Sequence, residues 1–82
     1  MSYEIEFKPR ALRDLRDLPE ADKRRIFVNI EALQAGLTGN VKKLTNFTPE
    51  YRLRVGTYRV LFEIEGRSVI IYRVLHRKEA YR

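Results

Sequence analysis

The sequence predicts an α+β fold of order β-α-α-β-β-β, with a two-helix hairpin packed on one face of a small, mainly antiparallel sheet. Three observations predict it. Period-two alternation of apolar and polar residues in YEIEF (3–7) and across YRLRVGTYRV (51–60) is the signature of half-buried strands, and 51–55, 58–64 and 69–75 read as three strands in succession. Two apolar stripes of helical period lie between the first of these segments and the rest. Two Gly-Xaa links, Gly56-Thr57 and Gly66-Arg67, then join the last three strands as hairpins with type II′ turns. The chain has 82 residues, which allows one domain, 1–82.

Each element has a local reason. In the first strand Tyr3, Ile5 and Phe7 point inward. Pro9 sits in the first turn of a helix, where its missing N–H is no loss. Ala11, Leu12, Leu15 and Leu18 then supply the buried stripe. Pro19 stops this helix and starts the next, in which Ile26, Phe27, Ile30 and Leu33 face the core. Glu20 and Asp22 suit the positive end of its dipole, and Gly36 fits a C-terminal cap. Residues 37–50 show no clear period and read as loop, with Leu44 and Phe47 turned inward. With strict two-residue turns, Leu53, Val55, Tyr58, Val60, Phe62, Ile64, Val69, Ile71 and Leu75 share the helix-covered face. The same parity puts Arg73 among them, and a bulge would change it. The open face receives Arg52, Arg54, Arg59, Leu61, Ile70, Tyr72, Val74 and His76.

Composition narrows the function classes. A domain of this size buries only about 60–65% of its unfolded surface. With no cysteine, neither a disulfide framework nor a thiolate metal site compensates. No His/Asp/Glu cluster has ligand spacing, so no metal or cofactor is expected. No apolar run approaches the roughly 20 residues of a membrane span, and no charged-then-apolar leader is visible; the expected compartment is the cytoplasm, with no membrane partner. Net charge is +6. In residues 1–40 seven basic and seven acidic residues cancel; residues 41–82 hold ten basic and four acidic residues and carry the whole excess. Such asymmetry points to a polyanionic partner, nucleic acid or an acidic protein. Twelve arginines against five lysines favour bidentate phosphate or carboxylate recognition.

The Gly56-Thr57 turn sets Arg54 directly opposite Arg59, with Arg52 two residues along on the same face. Like charges so placed destabilise a sheet, and an anion between them would remove the penalty. The tail VLHRKEAYR (74–82) brings His76, Arg77, Lys78, Tyr81 and Arg82 within nine residues. Antiparallel pairing puts residue 74 opposite residue 59, so Arg54, Arg59 and His76–Arg77 converge at one end of the sheet with Tyr81 tethered close by.

Five stretches, YEIEF, ALRDLRDLP, KKL, YRLRVGTYRVLFEI and HRKEAYR, resemble the RelE/ParE toxin superfamily of bacterial type II toxin–antitoxin modules, over nearly the whole chain. The resemblance implies a ribosome-dependent mRNA endonuclease of the RelE branch, with the ribosome, mRNA and a cognate antitoxin bearing an acidic and apolar segment as partners. Its motif positions are filled by Arg52, Arg54, Arg59, Arg77 and Tyr81, which implies Arg54, Arg59, Arg77 and Tyr81 as catalytic residues and Arg52 and Arg54 as RNA-binding; His76 and Lys78, brought beside them by the basic tail, join the RNA-binding set on the residues alone. In such a site the RNA 2′-OH attacks the adjacent phosphorus and arginines stabilise the phosphorane charge. Tyr81 is one possible base, its phenol favoured as phenolate by neighbouring arginines. Arg77 or Lys78 is available to protonate the leaving 5′-oxygen, and His76 to shuttle a proton. One histidine rules out a two-histidine ribonuclease site. Two alternatives stay open: a ParE-like DNA gyrase inhibitor, and a non-catalytic RNA- or protein-binding relative.

Overall fold

The computed structural model of the protein describes residues 3–37, 40–46 and 48–80. It contains β1 (Glu4–Phe7), α1 (Pro9–Arg16), α2 (Glu20–Ala32), β2 (Val41–Lys43), β3 (Tyr51–Val55), β4 (Tyr58–Glu65) and β5 (Ser68–His76). The five strands form one sheet in the order β1-β5-β4-β3-β2. All pairs are antiparallel except β1 with β5, which is parallel. The expected α+β class therefore holds, with one strand more than the periodicity showed. β2 lies inside the stretch read as loop. Three residues, Val-Lys-Lys, are too short to display a period, and their strand character comes from pairing Val41 with Leu53 and Lys42 with Arg52. Leu44 is half-buried, whereas Phe47 lies outside the described residues.

Both glycine turns have the backbone that II′ geometry demands, with Gly56 at φ 58° and Gly66 at φ 60°. They fix Val55 against Tyr58 and Glu65 against Ser68, and thereby the register of β3, β4 and β5. Gly56 meets a second constraint: a Cβ there would lie 2.7 Å from the Arg25 Nη2 of α2. Gly56→Ala is expected to cost about 1–2 kcal/mol, through positive-φ strain and displacement of Arg25, measurable as a lower midpoint in urea.

The core lies between the helices and one sheet face. Ala11 and Leu15 of α1, Ile26 and Ile30 of α2, and Leu33 just past it pack on Leu53, Val55, Val60, Phe62, Val69, Ile71 and Val74. Tyr51 stacks on Phe62 at 5.4 Å, and Phe7 of β1 meets Phe27 of α2 at 5.8 Å. Leu12, expected in the α1 stripe, is 51% exposed: one turn of an eight-residue helix presents Ala11 and Leu15 to the sheet, and position 12 rotates away from it.

A β-bulge settles the parity of β5. Leu61 pairs with Arg73 but Phe62 with Ile71, so Tyr72 has no counterpart on β4. Beyond it every side chain changes face. Val74, opposite Val60, enters the core in place of Leu75. Leu75, opposite Arg59, goes to the open face together with Arg73. The bulge sits where β1 ends, at the Phe7–Ile71 pair, and α1 takes over the vacated edge of β5. Asp14 there accepts the Val74 N–H (3.0 Å) and chelates the Arg73 guanidinium through Nε (2.8 Å) and Nη2 (3.2 Å). Asp14, foremost through these bonds, holds the Arg73 proton more firmly than usual, against the opposing effect of burial.

Candidate functional site

The open face is ordered by charge. Its rows run across the strands and can be read from the register. Arg54, Arg59 and Leu75 form one row; Lys42, Arg52, Leu61 and Arg73 form the next. On the far side of the bulge come Glu63, Ile70 and Glu6, then Glu65, Ser68 and Glu4. Cations occupy one half and glutamates the other, with apolar side chains at the centre. Arg54 and Arg59 are paired directly, as the turn requires.

The end of β5 joins this basic half. The Arg77 N–H donates to the Thr57 carbonyl at 2.7 Å, carrying the ladder one residue past the Tyr58–His76 pair. Alternation then starts Arg77 on the face of Arg59 and Leu75. Diagonal neighbours of this kind have Cα atoms about 7–8 Å apart, within reach of two arginine side chains converging on one phosphate. Residue 75, not residue 74, stands opposite Arg59, because the bulge shifts β5 by one.

The bulge also separates His76 from the arginines. His76 faces Tyr58 on the helix side, with ring centroids 5.9 Å apart in an edge-on contact. Its Nδ1 accepts the Lys78 N–H at 3.3 Å, which assigns the proton of the neutral ring to Nε2. His76 borders a cleft of about 270 Å³ lined also by Asp14, Asp17, Tyr58, Val74 and Glu79. A larger hollow of about 480 Å³ lies by the 43–50 loop, away from the arginines. Lys78 is exposed just beyond β5, and Tyr81 lies outside the described residues.

Arg59 is held in place. Its Nη1 donates to the Gly56 and Tyr58 carbonyls, both at 2.9 Å, while Nε is buried without a hydrogen bond. The turn beneath is fastened to α2. The Tyr58 hydroxyl donates to Asp22 (3.0 Å), and Arg25 pairs with Asp22 (3.8 Å) while resting on Gly56. Asp22, Arg25 and Asp14 went unremarked in the sequence as site components, since no local motif links a helix residue to a turn more than 30 positions away.

The Tyr58 phenol is raised above its ordinary value, first because it donates to Asp22, then by burial and by the Asp22 charge, with Arg25 opposing. A folded-state pKa above the unfolded value of about 10 means that this stabilisation is complete below that pH and is lost as pH rises through the higher folded value. Tyr58→Phe should therefore lower stability by about 1 kcal/mol, evenly over about pH 6–9, and the gap to wild type should close at more alkaline pH. Denaturant titrations across that range measure both features.

Comparison with known proteins adds four findings. The family model for the ParE toxin of the type II toxin–antitoxin system parDE matches residues 5–81. Toxin RelE3 of Methanocaldococcus jannaschii is 37% identical over 75 residues, covering 85% of each chain. Among solved structures, the chain is similar to one in the RelB–RelE antitoxin–toxin complex from Methanococcus jannaschii, with 35% identity, a TM-score of 0.77 and coverage of 93% of this chain and 94% of that one. It is also similar to a chain of the toxin–antitoxin complex RelBE2 from Mycobacterium tuberculosis, with 30% identity, a TM-score of 0.78 and coverage of 94% and 100%.

Proposed function

This chain belongs to the ParE toxin family of type II toxin–antitoxin systems and is a toxin of the RelBE type; on that premise we propose that it is a ribosome-dependent, metal-independent mRNA endonuclease acting in the cytoplasm. The observation that carries the reading is the Arg54–Arg59 cross-strand pair with the Arg77 end of β5 joined to the same turn. Like charges placed opposite each other on a small sheet are unfavourable by themselves. They become favourable around a phosphodiester, and more so around the extra negative charge of a phosphorane. Arg59, pinned to its own turn, presents a guanidinium that needs little further ordering when substrate arrives.

In this mechanism the RNA supplies its own nucleophile. The 2′-oxygen attacks phosphorus in line, its proton passes to a base, and the bond to the 5′-oxygen breaks as that oxygen is protonated. Arg54, Arg59 and Arg77 stabilise the phosphorane. Arg52 and Lys78 hold the flanking strand. Tyr81 is the candidate base, and Arg77 or Lys78 the candidate proton donor. His76, on the other face of the sheet, is assigned no part at the phosphate. None of these groups is matched to neutral pH as a free acid or base, which accords with a substrate oriented by the ribosome. A cognate antitoxin would neutralise the toxin by placing acidic and apolar residues on the basic and apolar rows.

Primer extension on translating ribosomes tests the reading. Purified protein should produce A-site breaks in the message, and Tyr81→Phe should reduce them. The ParE name of the matching family favours a second reading, inhibition of DNA gyrase without catalysis. Intact message together with gyrase-linked DNA breaks, undiminished in Tyr81→Phe, would establish that reading in place of the first.

A further inference from the structure

We infer that the RNA strand crosses the sheet obliquely, over the Arg59–Arg54 and Arg52–Lys42 pairs, and passes over the β2 edge, where Lys42 binds a phosphate separate from the scissile one. The inference rests on the endonuclease reading and extends its site to a strand with no assigned role. Three observations carry it. First, Lys42 stands directly opposite Arg52, so the open face holds a second like-charge cross-strand pair beside Arg54–Arg59. Second, both lysines are exposed, but Lys43 points to the other face, with its ammonium 3.7 Å from Glu50 and 5.9 Å from the Tyr51 ring centroid, whereas Lys42 lies on the face of Arg52. Third, the charge changes sign along the strands and keeps its sign across them. A polyanion following β4 or β5 would run onto Glu63, Glu6, Glu65 and Glu4, whereas one following the rows meets Arg59, Arg54, Arg52 and Lys42.

The dimensions suit two phosphates. Two strand spacings and a two-residue step along the strand separate Lys42 from Arg59 by about 12 Å at Cα. A phosphate centred between Arg54 and Arg59 would engage Lys42 only at full extension of the side chains, so the Lys42 contact is assigned to a flanking nucleotide. Arg73, in the same row, is taken up by Asp14, which leaves the β2 side as the path.

The test is fluorescence anisotropy of a labelled single-stranded RNA decamer, with binding measured from 50 to 200 mM salt. Each phosphate neutralised on a single strand contributes about 0.7 to the slope of log K against log salt. Lys42→Ala should lower the slope by about 0.7 and weaken binding roughly five- to tenfold at 50 mM salt. Lys43→Ala and Arg24→Ala, which remove the same charge elsewhere, should leave the slope unchanged. Circular dichroism should show all three variants folded. If Arg54→Ala lowers the slope and Lys42→Ala does not, the strand does not cross β2 and the inference is overturned while the endonuclease reading stands. An equal drop in Arg24→Ala would mean that net charge alone is being measured, and overturns it too. If neither Arg54→Ala nor Lys42→Ala changes the slope, the path is overturned, and primer extension on ribosomes decides the endonuclease reading separately.

Discussion

Arg59→Ala is expected to lower message cleavage on ribosomes by at least about 100-fold, the scale of losing one donor aimed at transition-state charge, while unfolding within about 0.5 kcal/mol of wild type. The two halves of this result have separate origins. Replacing Arg59 ends the opposition with Arg54, worth about 0.2–1 kcal/mol in a sheet, and removes a buried Nε that has no hydrogen bond. Against this, the carbonyls of Gly56 and Tyr58 lose a donor each, at about 1 kcal/mol apiece, less what water at the turn restores. Gains and losses are of similar size. Arg59→Lys keeps the charge but lacks the planar fork, so it should recover only part of the activity. Cleavage at wild-type rates in Arg59→Ala would remove Arg59 from the reaction. A loss of several kcal/mol in stability would show instead that the residue is structural.

How far the sequence reached is clear from particular residues. Strands β3, β4 and β5 were legible to within a residue at each end, because alternation and a Gly-Xaa turn encode both strand and register locally. The Arg54–Arg59 pair follows from that turn alone. The helices were legible from Pro9, Pro19 and the apolar stripes. What escaped depends on contacts distant in sequence. β2 is a strand because β3 pairs with it, and Val-Lys-Lys carries no period of its own. Lys42 escaped with it, although the Lys-Lys pair was in plain view.

The bulge at Tyr72 is the most consequential of these. The misfit was visible, since strict alternation drove Arg73 into the core, but its position was not. It is set by where β1 ends and by Asp14, which waits on α1 for the Val74 N–H. One extra residue there exchanges Val74 for Leu75 in the core and sends His76 to the helix side. It also carries Arg77, which strict alternation would have left on the helix-covered face, to the face of Arg54 and Arg59, so the parity error misplaced Arg73, His76 and Arg77 together.

Asp14→Ala should be the most destabilising of the polar substitutions considered, by about 2–3 kcal/mol, or roughly 10–20 °C in melting temperature for a domain of this size. Asp14 satisfies two groups at once, the Arg73 guanidinium and the Val74 N–H, at a strand edge that β1 has ceased to cover. Its removal leaves a half-buried cation and an orphaned amide together. Arg73→Ala should cost less, about 1 kcal/mol, since the Asp14–Val74 bond survives it. The double variant should be somewhat more stable than Asp14→Ala alone, because removing Arg73 takes away the half-buried cation and leaves only the orphaned amide. Activity ought to follow the same order. Asp14 is remote from the proposed phosphate position, yet it anchors the half of β5 that presents Leu75 opposite Arg59 and ends at Arg77. Equal losses for Asp14→Ala and Arg73→Ala in chemical denaturation would mean that the ion pair matters and the backbone bond does not. The bulge would then need another cause.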